Sequence, residues 1–476
     1  MNAYQDELPR TTSPARTFPV GFLWGAATAA FQVEGATTAD GRADSIWDVL
    51  CRRPGAILGG HTGEPAADHY RRMREDVAIM AELGLTSYRF SVAWPRVRPD
   101  GGSVNPAGLD FYQRLVDELL ARDIIPWVTL YHWDLPQALE DAGGWPHRDT
   151  AYRFAEYADT VYDALGDRVS YWTTMNEPFC AALLGYASGE HAPGRAEPRA
   201  AVAAAHHLLL AHGLAVQAIR ARNPHETVGI TLNFAPTVPL DPADAADLDA
   251  ARRIDGLQNR LFLEPVLRGR YPADVLADLA PYDLRRHIRD GDLDVISAPI
   301  DLLGVNYYLG YTVSGHPDPH PPVSNVATPS PPGSIWVGAE HVSFRRSGRP
   351  LTGQDWEIYP EGLTELLMWL DREYPGVPLY VTENGAAFPD TVRDGAVHDP
   401  ERTEYVLSHL RAIHTAIEEG ADVRGYFYWS LLDNFEWAWG YDQRFGLVHV
   451  DYDTQQRTIK SSGRWYATAI ANNAVG

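Results

Sequence analysis

Phe22-Leu-Trp-Gly-Ala-Ala-Thr-Ala-Ala-Phe-Gln-Val-Glu-Gly35 is the stretch whose reading decides the fold. Residues 22–28 are a short apolar run entered through Gly21, the composition of a strand buried on both faces. The segment beyond it, 29–35, is not a G-x-G-x-x-G turn. The phosphate cradle that opens a doubly wound α/β sheet is therefore missing. Similar runs recur at 87–94, 124–133, 170–175, 227–232, 302–307, 379–382 and 424–431. Amphipathic stretches at 70–83, 108–122, 150–165, 202–222, 360–374 and 401–419 lie between them. Eight short runs alternating with helices predict the α/β class and a closed (β/α)8 TIM barrel. The barrel is expected as a single catalytic domain over 17–470, behind a polar, disordered tail at 1–16. From Ser314 to Gly353 the chain has no helical period and is rich in Pro, Gly and Ser. Following the sixth run, it is expected as a long loop over the C-terminal face.

Composition removes several classes of function. Lys and Arg number 40 against 63 Asp and Glu, a net charge of −23, so neither nucleic acid nor an anionic membrane surface finds a basic footprint. The one lysine is Lys460. With 45% apolar residues the chain builds a large core, and its 14 Trp are enough to line a pocket as well. Cys51 and Cys180 make no disulfide framework. No run of about 18 apolar residues is evident, and the N-terminus lacks a signal peptide's apolar segment. The expectation is a cytoplasmic protein without a membrane partner; homo-oligomerisation is left open.

A TIM barrel collects its chemistry at the C-terminal ends of its strands. Those ends carry Gln32 and Glu34, Arg89 and Trp94, Tyr131-His132-Trp133-Asp134, Asn176-Glu177, Asn233, Asn306 with Tyr308, Glu383-Asn384, and Trp429 followed by Glu436-Trp437. Packing alone does not gather polar groups at one rim, because burying them is unfavourable. Glu177 and Glu383 come from strands on opposite sides of the ring and so face each other. Two carboxyl groups flanking a bond are the apparatus of glycoside hydrolysis. His206, His207 and His212 lie on an alanine-rich stretch without a carboxylate partner and read as structural, so neither a metal nor a cofactor is expected. Cys180 reads as a small buried residue. Asp241, Asp244, Asp247 and Asp249 read as a solvated acidic face.

Seven segments, in order, resemble the glycoside hydrolase family 1 β-glucosidases. They are residues 17–35, Tyr88-Arg-Phe-Ser-Val-Ala-Trp-Pro-Arg96, Tyr131-His-Trp-Asp-Leu-Pro136, Thr174-Met-Asn-Glu-Pro178, Asn306-Tyr-Tyr308, Tyr380-Val-Thr-Glu-Asn-Gly385 and Trp429-Ser-Leu-Leu-Asp-Asn-Phe-Glu-Trp437. The resemblance implies a retaining β-glucosidase acting on a small carbohydrate, with Glu383 as nucleophile and Glu177 as acid/base. It implies that Arg89 and Tyr308 keep Glu383 ionised and that Asn176 holds the sugar 2-hydroxyl. Gln32, His132, Asn306, Glu436 and Trp437 are implied as ligands of the sugar, Trp133 as an indole donor and Trp429 as the apolar floor. Trp356 is implied to stack on the leaving group, with Phe445 near the sugar's outer edge. A transglycosylase, a 6-phospho-β-glycosidase and an inactive sugar-binding relative are the alternatives. Glu436, as a carboxylate without a lysine near it, is expected to repel a 6-phosphate by its charge.

Overall fold

The computed structural model describes residues 15–318 and 332–476. Eight parallel strands close on themselves: β1 (Leu23–Ala27), β2 (Ser87–Ser91), β3 (Ile125–Tyr131), β4 (Tyr171–Asn176), β5 (Thr227–Phe234), β6 (Leu302–Tyr307), β7 (Leu379–Asn384) and β8 (Val423–Trp429). The ring is sealed by β8 on β1, in a register running from Gly425 opposite Leu23 to Trp429 opposite Ala27. Each expected apolar run is one of these strands. The amphipathic stretches are α1 (His69–Glu82), α2 (Pro106–Leu120), α3 (Asp149–Leu165), α4 (Pro198–Arg222), α7 (Pro360–Glu373) and α8 (Pro400–Glu418). Between β5 and β6 lie α5 (Ala245–Asp255) and α6 (Leu261–Arg268), which the sequence reading did not find, and α9 (Ser461–Asn472) follows β8.

Apolar burial falls in two layers. One fills the space between strands and helices. The other plugs the lower barrel, where Trp127 lies 4.8 Å from Tyr171 and 5.0 Å from both Tyr380 and Phe427, ring centre to ring centre. Large aromatics at the base leave only the upper end open, so a cavity inside the barrel must form at the C-terminal rim.

The structure adds detail to four expectations. The short strand Arg16–Thr17 pairs with Ala474–Val475, so ordered backbone extends beyond both ends of 17–470; the tail at 1–14 lies outside the described residues. The long loop is structured where described: Tyr311–Ser314 pairs with Ser343–Arg345 and with Thr237–Pro239 in a small sheet. Its proline-rich middle, 319–331, lies outside the described residues. The acidic stretch is more than a solvated face. Asp244 caps α5, and buried Asp247 accepts from Ser314 Oγ at 2.6 Å and the Gly315 amide at 2.9 Å, pinning the start of that loop. Finally, α4 is long and apolar enough to cross a membrane, but 83% of its most apolar window is buried inside the protein.

Gly385 shows how closely β7 and β8 approach at the rim. A Cβ there would stand 1.7 Å from the Trp429 carbonyl oxygen, so backbone would have to move. Gly385→Ala is expected to lower stability by about 1–3 kcal/mol, the usual range for overpacking. Urea unfolding followed by tryptophan fluorescence reads this directly, and an unchanged midpoint contradicts it.

Candidate active site

Two irregularities in the strands aim the glutamates. On β4, Thr173 faces the barrel interior, accepting the Trp127 indole N–H at 2.8 Å, while Thr174 faces His212 on α4 at 2.7 Å. Strict alternation would send Asn176 outward. A register shift between Thr173 and Asn176 puts Met175 in the outer core and returns Asn176 to the interior. On β7, Tyr380 and Thr382 point inward, and the shift between Val381 and Glu383 turns Glu383 inward as well. Bulges that re-aim a side chain in this way are typical beside active sites.

Arg89, on β2 and 1% exposed, organises what they aim. Its Nη1 donates to Glu383 Oε1 at 2.6 Å and its Nη2 to Asn176 Oδ1 at 2.6 Å. Tyr308 Oη donates to the other oxygen of Glu383 at 2.8 Å. Asn306 Nδ2 donates to Glu177 Oε1 at 2.7 Å and to Asn176 Oδ1 at 3.1 Å, and Thr382 Oγ1 donates to Asn306 Oδ1 at 2.8 Å. Because Arg89 only donates, the Asn176 amide is fixed with its nitrogen toward His132 Nε2, 3.1 Å away. His132 therefore accepts there. Burial and the Arg89 charge hold its pKa well below the ordinary range, so it is neutral.

Glu177, Glu383 and Glu436 all line one cavity of about 270 Å³. Burial raises all three carboxyls. At Glu383 the Arg89 charge and the Arg89 and Tyr308 hydrogen bonds oppose it. Glu177 has burial and the negative charge of Glu383 acting together, and is pushed up to about 8. Glu383 therefore ionises first and Glu177 keeps its proton. The ordering comes from the position of one cation.

His132, Trp133, Glu177, Asn306, Tyr308, Trp356, Glu383, Trp429, Glu436, Trp437 and Phe445 all line this cavity. Gln32, Asn176 and Arg89 stand behind it. Gln32 Nε2 reaches Asn434 Oδ1 (3.1 Å), the Phe435 carbonyl (2.9 Å) and Glu436 Oε2 (3.3 Å). Three aromatic groups define the walls: Trp429 stacks beside His132, Trp437 lies 4.6 Å from Trp133, and Tyr308 meets Trp356 edge-on at 5.5 Å. Trp133, Glu177 and Trp437 all have left-handed backbone, with φ of 73°, 48° and 50°. Such strain, about 1–3 kcal/mol each, concentrates where side-chain direction matters.

Three expectations change. The Trp133 indole N–H donates to the Asn176 carbonyl at 2.9 Å, so that donor is engaged by the backbone and the ring serves as a wall. Glu436 is pushed up to about 8 by burial and the Glu383 charge, so near neutrality it is largely protonated and like-charge repulsion is weakened. Sequence reasoning also missed Gln354, His191 and the part Cys180 has in the site. The Cys180 thiol donates to Glu177 Oε2 at 3.2 Å, and its place three residues past Glu177 was the available signal. His191 and Gln354 line the cavity from loops, with no pattern to mark them. The three histidines are held within the fold, but the expectation that they have no carboxylate partner is corrected: His206 meets Tyr271 and the Asp292 carboxylate, His207 the Trp145 carbonyl and His212 Thr174.

The family model described as glycosyl hydrolase family 1 matches residues 14–475. The chain is 51% identical to thermostable beta-glucosidase B of Thermobispora bispora, covering 96% of this chain and 92% of that one. It is 47% identical to the bifunctional beta-D-glucosidase/beta-D-fucosidase of Bifidobacterium breve, covering 96% and 99%. Among solved structures, the psychrophilic beta-glucosidase of Micrococcus antarcticus is 58% identical and superposes with a TM-score of 0.95 over 96% of this chain and 98% of that one.

The carboxyl ordering has a direct readout. In ¹³C-glutamate NMR, the Glu177 carboxyl is expected to titrate near 8 in the wild type. In Glu383→Gln it is expected to fall toward the ordinary carboxylate range, because the neighbouring negative charge is gone. A Glu177 signal that titrates alike in both proteins contradicts the assignment.

Proposed function

The chain belongs to glycosyl hydrolase family 1, and from that premise and the geometry of the cavity we propose that it releases the terminal non-reducing β-D-glucosyl residue of cello-oligosaccharides and of aryl or alkyl β-glucosides, with retention of configuration. The observation that carries the reading is the asymmetric carboxyl pair. Glu383 is held by Arg89 and Tyr308, and Glu177 faces the same cavity with its pKa raised to about 8.

Glu383 Oε attacks the anomeric carbon as the bond from that carbon to the leaving oxygen breaks. Glu177 transfers its proton to that oxygen, and the alcohol departs. The product is a glycosyl ester on Glu383 and a Glu177 carboxylate. Esterification removes the negative charge that had raised Glu177, so its pKa drops and it becomes an effective base. It then takes a proton from water. The resulting hydroxide attacks the anomeric carbon, the ester bond breaks, and both carboxyls regain their starting states. Two inversions give net retention.

Asn176, with its oxygen held by Arg89 and Asn306, is suited to meet the sugar 2-hydroxyl through its remaining N–H. Glu436 and Gln32 suit the 4- and 6-hydroxyls, and Trp429 offers its ring to the sugar face. The bifunctional relative's β-fucosidase activity supports some tolerance at those hydroxyls. Against the 6-phospho branch stands the lack of any Lys or Arg among the described residues lining the cavity, since phosphate recognition wants such cations.

Glu383→Gly is expected to abolish hydrolysis of aryl β-glucosides, with azide restoring turnover and giving the α-glucosyl azide. Substantial activity without azide contradicts the nucleophile assignment. Glu177→Ala is expected to slow glycosylation about 10²–10⁴-fold for cellobiose, whose leaving group needs a proton. Dinitrophenyl glucoside, which needs none, is expected to lose far less in that step. Equal losses in pre-steady-state assays contradict the acid role. The wild-type pH profile of kcat/KM should fall above about 8, as Glu177 loses its proton.

A further inference from the structure

The chain's single lysine ends in a buried ion cluster that takes no part in the hydrolytic steps. Lys460 is wholly buried; its ammonium bonds Asp390 and, at 2.7 Å, Asp433. Arg402, equally buried, pairs with Asp390 at 3.0 Å and with Asp399, and Arg444 pairs with Asp433 at 2.7 Å. Three cations balance three carboxylates.

The members come from the loops that carry the cavity's residues. Asp390 lies in the segment leaving Glu383, and Arg402 Nε also donates to the Ala386 carbonyl of that segment at 3.3 Å. Asp433 sits between Trp429 and Glu436. Arg444 and Gly446 flank Phe445; the Gly446 amide donates to Asp433 at 2.9 Å and Arg402 Nη2 to the Arg444 carbonyl at 2.7 Å. The turn beside Asp433 continues into the cavity, because Asn434 Oδ1 and Glu436 Oε2 accept from the same Gln32 amide nitrogen. Burying five charges beside the half-buried Arg444 is a poor route to stability compared with an apolar core of equal volume, whereas a satisfied charge cluster admits few alternative arrangements.

We propose that Lys460 is a positioning residue: by tying Asp433 to Asp390 it sets Glu436 and its turn against Glu383, and so governs recognition of the sugar's 6-hydroxymethyl edge. The inference rests on the reading of Glu436 as a hydroxyl ligand.

Aryl β-glucoside and aryl β-xyloside, which differ only in that hydroxymethyl group, separate positioning from general damage. Lys460→Met keeps chain length and removes the charge. It is expected to lower kcat/KM for the glucoside about 10–100-fold, the cost of leaving a buried hydrogen-bonding group unsatisfied, and for the xyloside, which keeps only the 4-hydroxyl contact, by a clearly smaller factor of about 3–10. The double variant Lys460→Met/Asp433→Asn restores charge balance at two against two. It is expected to melt closer to the wild type yet keep the narrowed glucoside-to-xyloside ratio, and it carries the test if the single variant does not fold. A folded variant that retains the wild-type ratio, or loses both substrates equally, overturns the proposal. Glu436→Gln measured alongside tests the footing. A narrowed ratio there with normal Lys460 variants sinks positioning alone. An unchanged ratio in Glu436→Gln sinks the ligand reading and the positioning with it.

Discussion

The Arg89 guanidinium reaches Glu383 on β7 with one nitrogen and Asn176 on β4 with another, so a side chain from β2 joins three strands across the top of the barrel. Four carboxyl groups, those of Glu177, Glu190, Glu383 and Glu436, share the cavity above it, and burial acts on all of them in the same direction, toward the protonated form. A cation against only one of them sets that one apart. The same contact fixes the Asn176 amide, and through it the proton on His132. Protonation states, amide orientation and the tautomer at this rim therefore follow from the placement of one permanently charged, planar donor.

The barrel divides by chemistry along its axis. Its base is closed by Trp127, Tyr171, Tyr380 and Phe427, with Thr173 accepting from the Trp127 indole, and its upper interior carries Thr231, Thr382, Asn176 and Asn306, whose polar atoms bond one another or the glutamates. An apolar plug excludes water from below, so the polar layer is hydrated only from the cavity. Hydrogen bonds in such a layer are strengthened by the low surrounding dielectric and held in place before any substrate arrives. Left-handed backbone at Trp133, Glu177 and Trp437 belongs to the same economy of fixed direction.

Much of this was legible in the chain. Both faces of each barrel strand are covered, so the strands appear as short apolar runs such as 302–307, and the polar residues at their ends stood out against that background. Less visible were features set by backbone irregularity. No pattern in Thr174-Met175-Asn176 or Thr382-Glu383 announces a bulge, yet strict alternation would have turned Asn176 and Glu383 away from the site. The small rim sheet escaped because its strands are short and one ends at Pro239. Trp133 was assigned a donor's part because sequence shows that an indole N–H exists, not that the Asn176 carbonyl already takes it. The protonation of Glu436 was out of reach for a similar reason: it depends on how many charges share the cavity, a property of the folded arrangement.

Lys460 has one more implication, for the protein's surface chemistry. It is the chain's only lysine and it is wholly buried, so no lysine ε-amine faces solvent. Reducing sugars condense slowly with exposed amines, first as imines and then as stable ketoamines. Around this protein, where glucose is the product, that side reaction finds no lysine to attack. The exposed positive charge is instead guanidinium, which stays protonated and is a far weaker nucleophile toward an aldehyde.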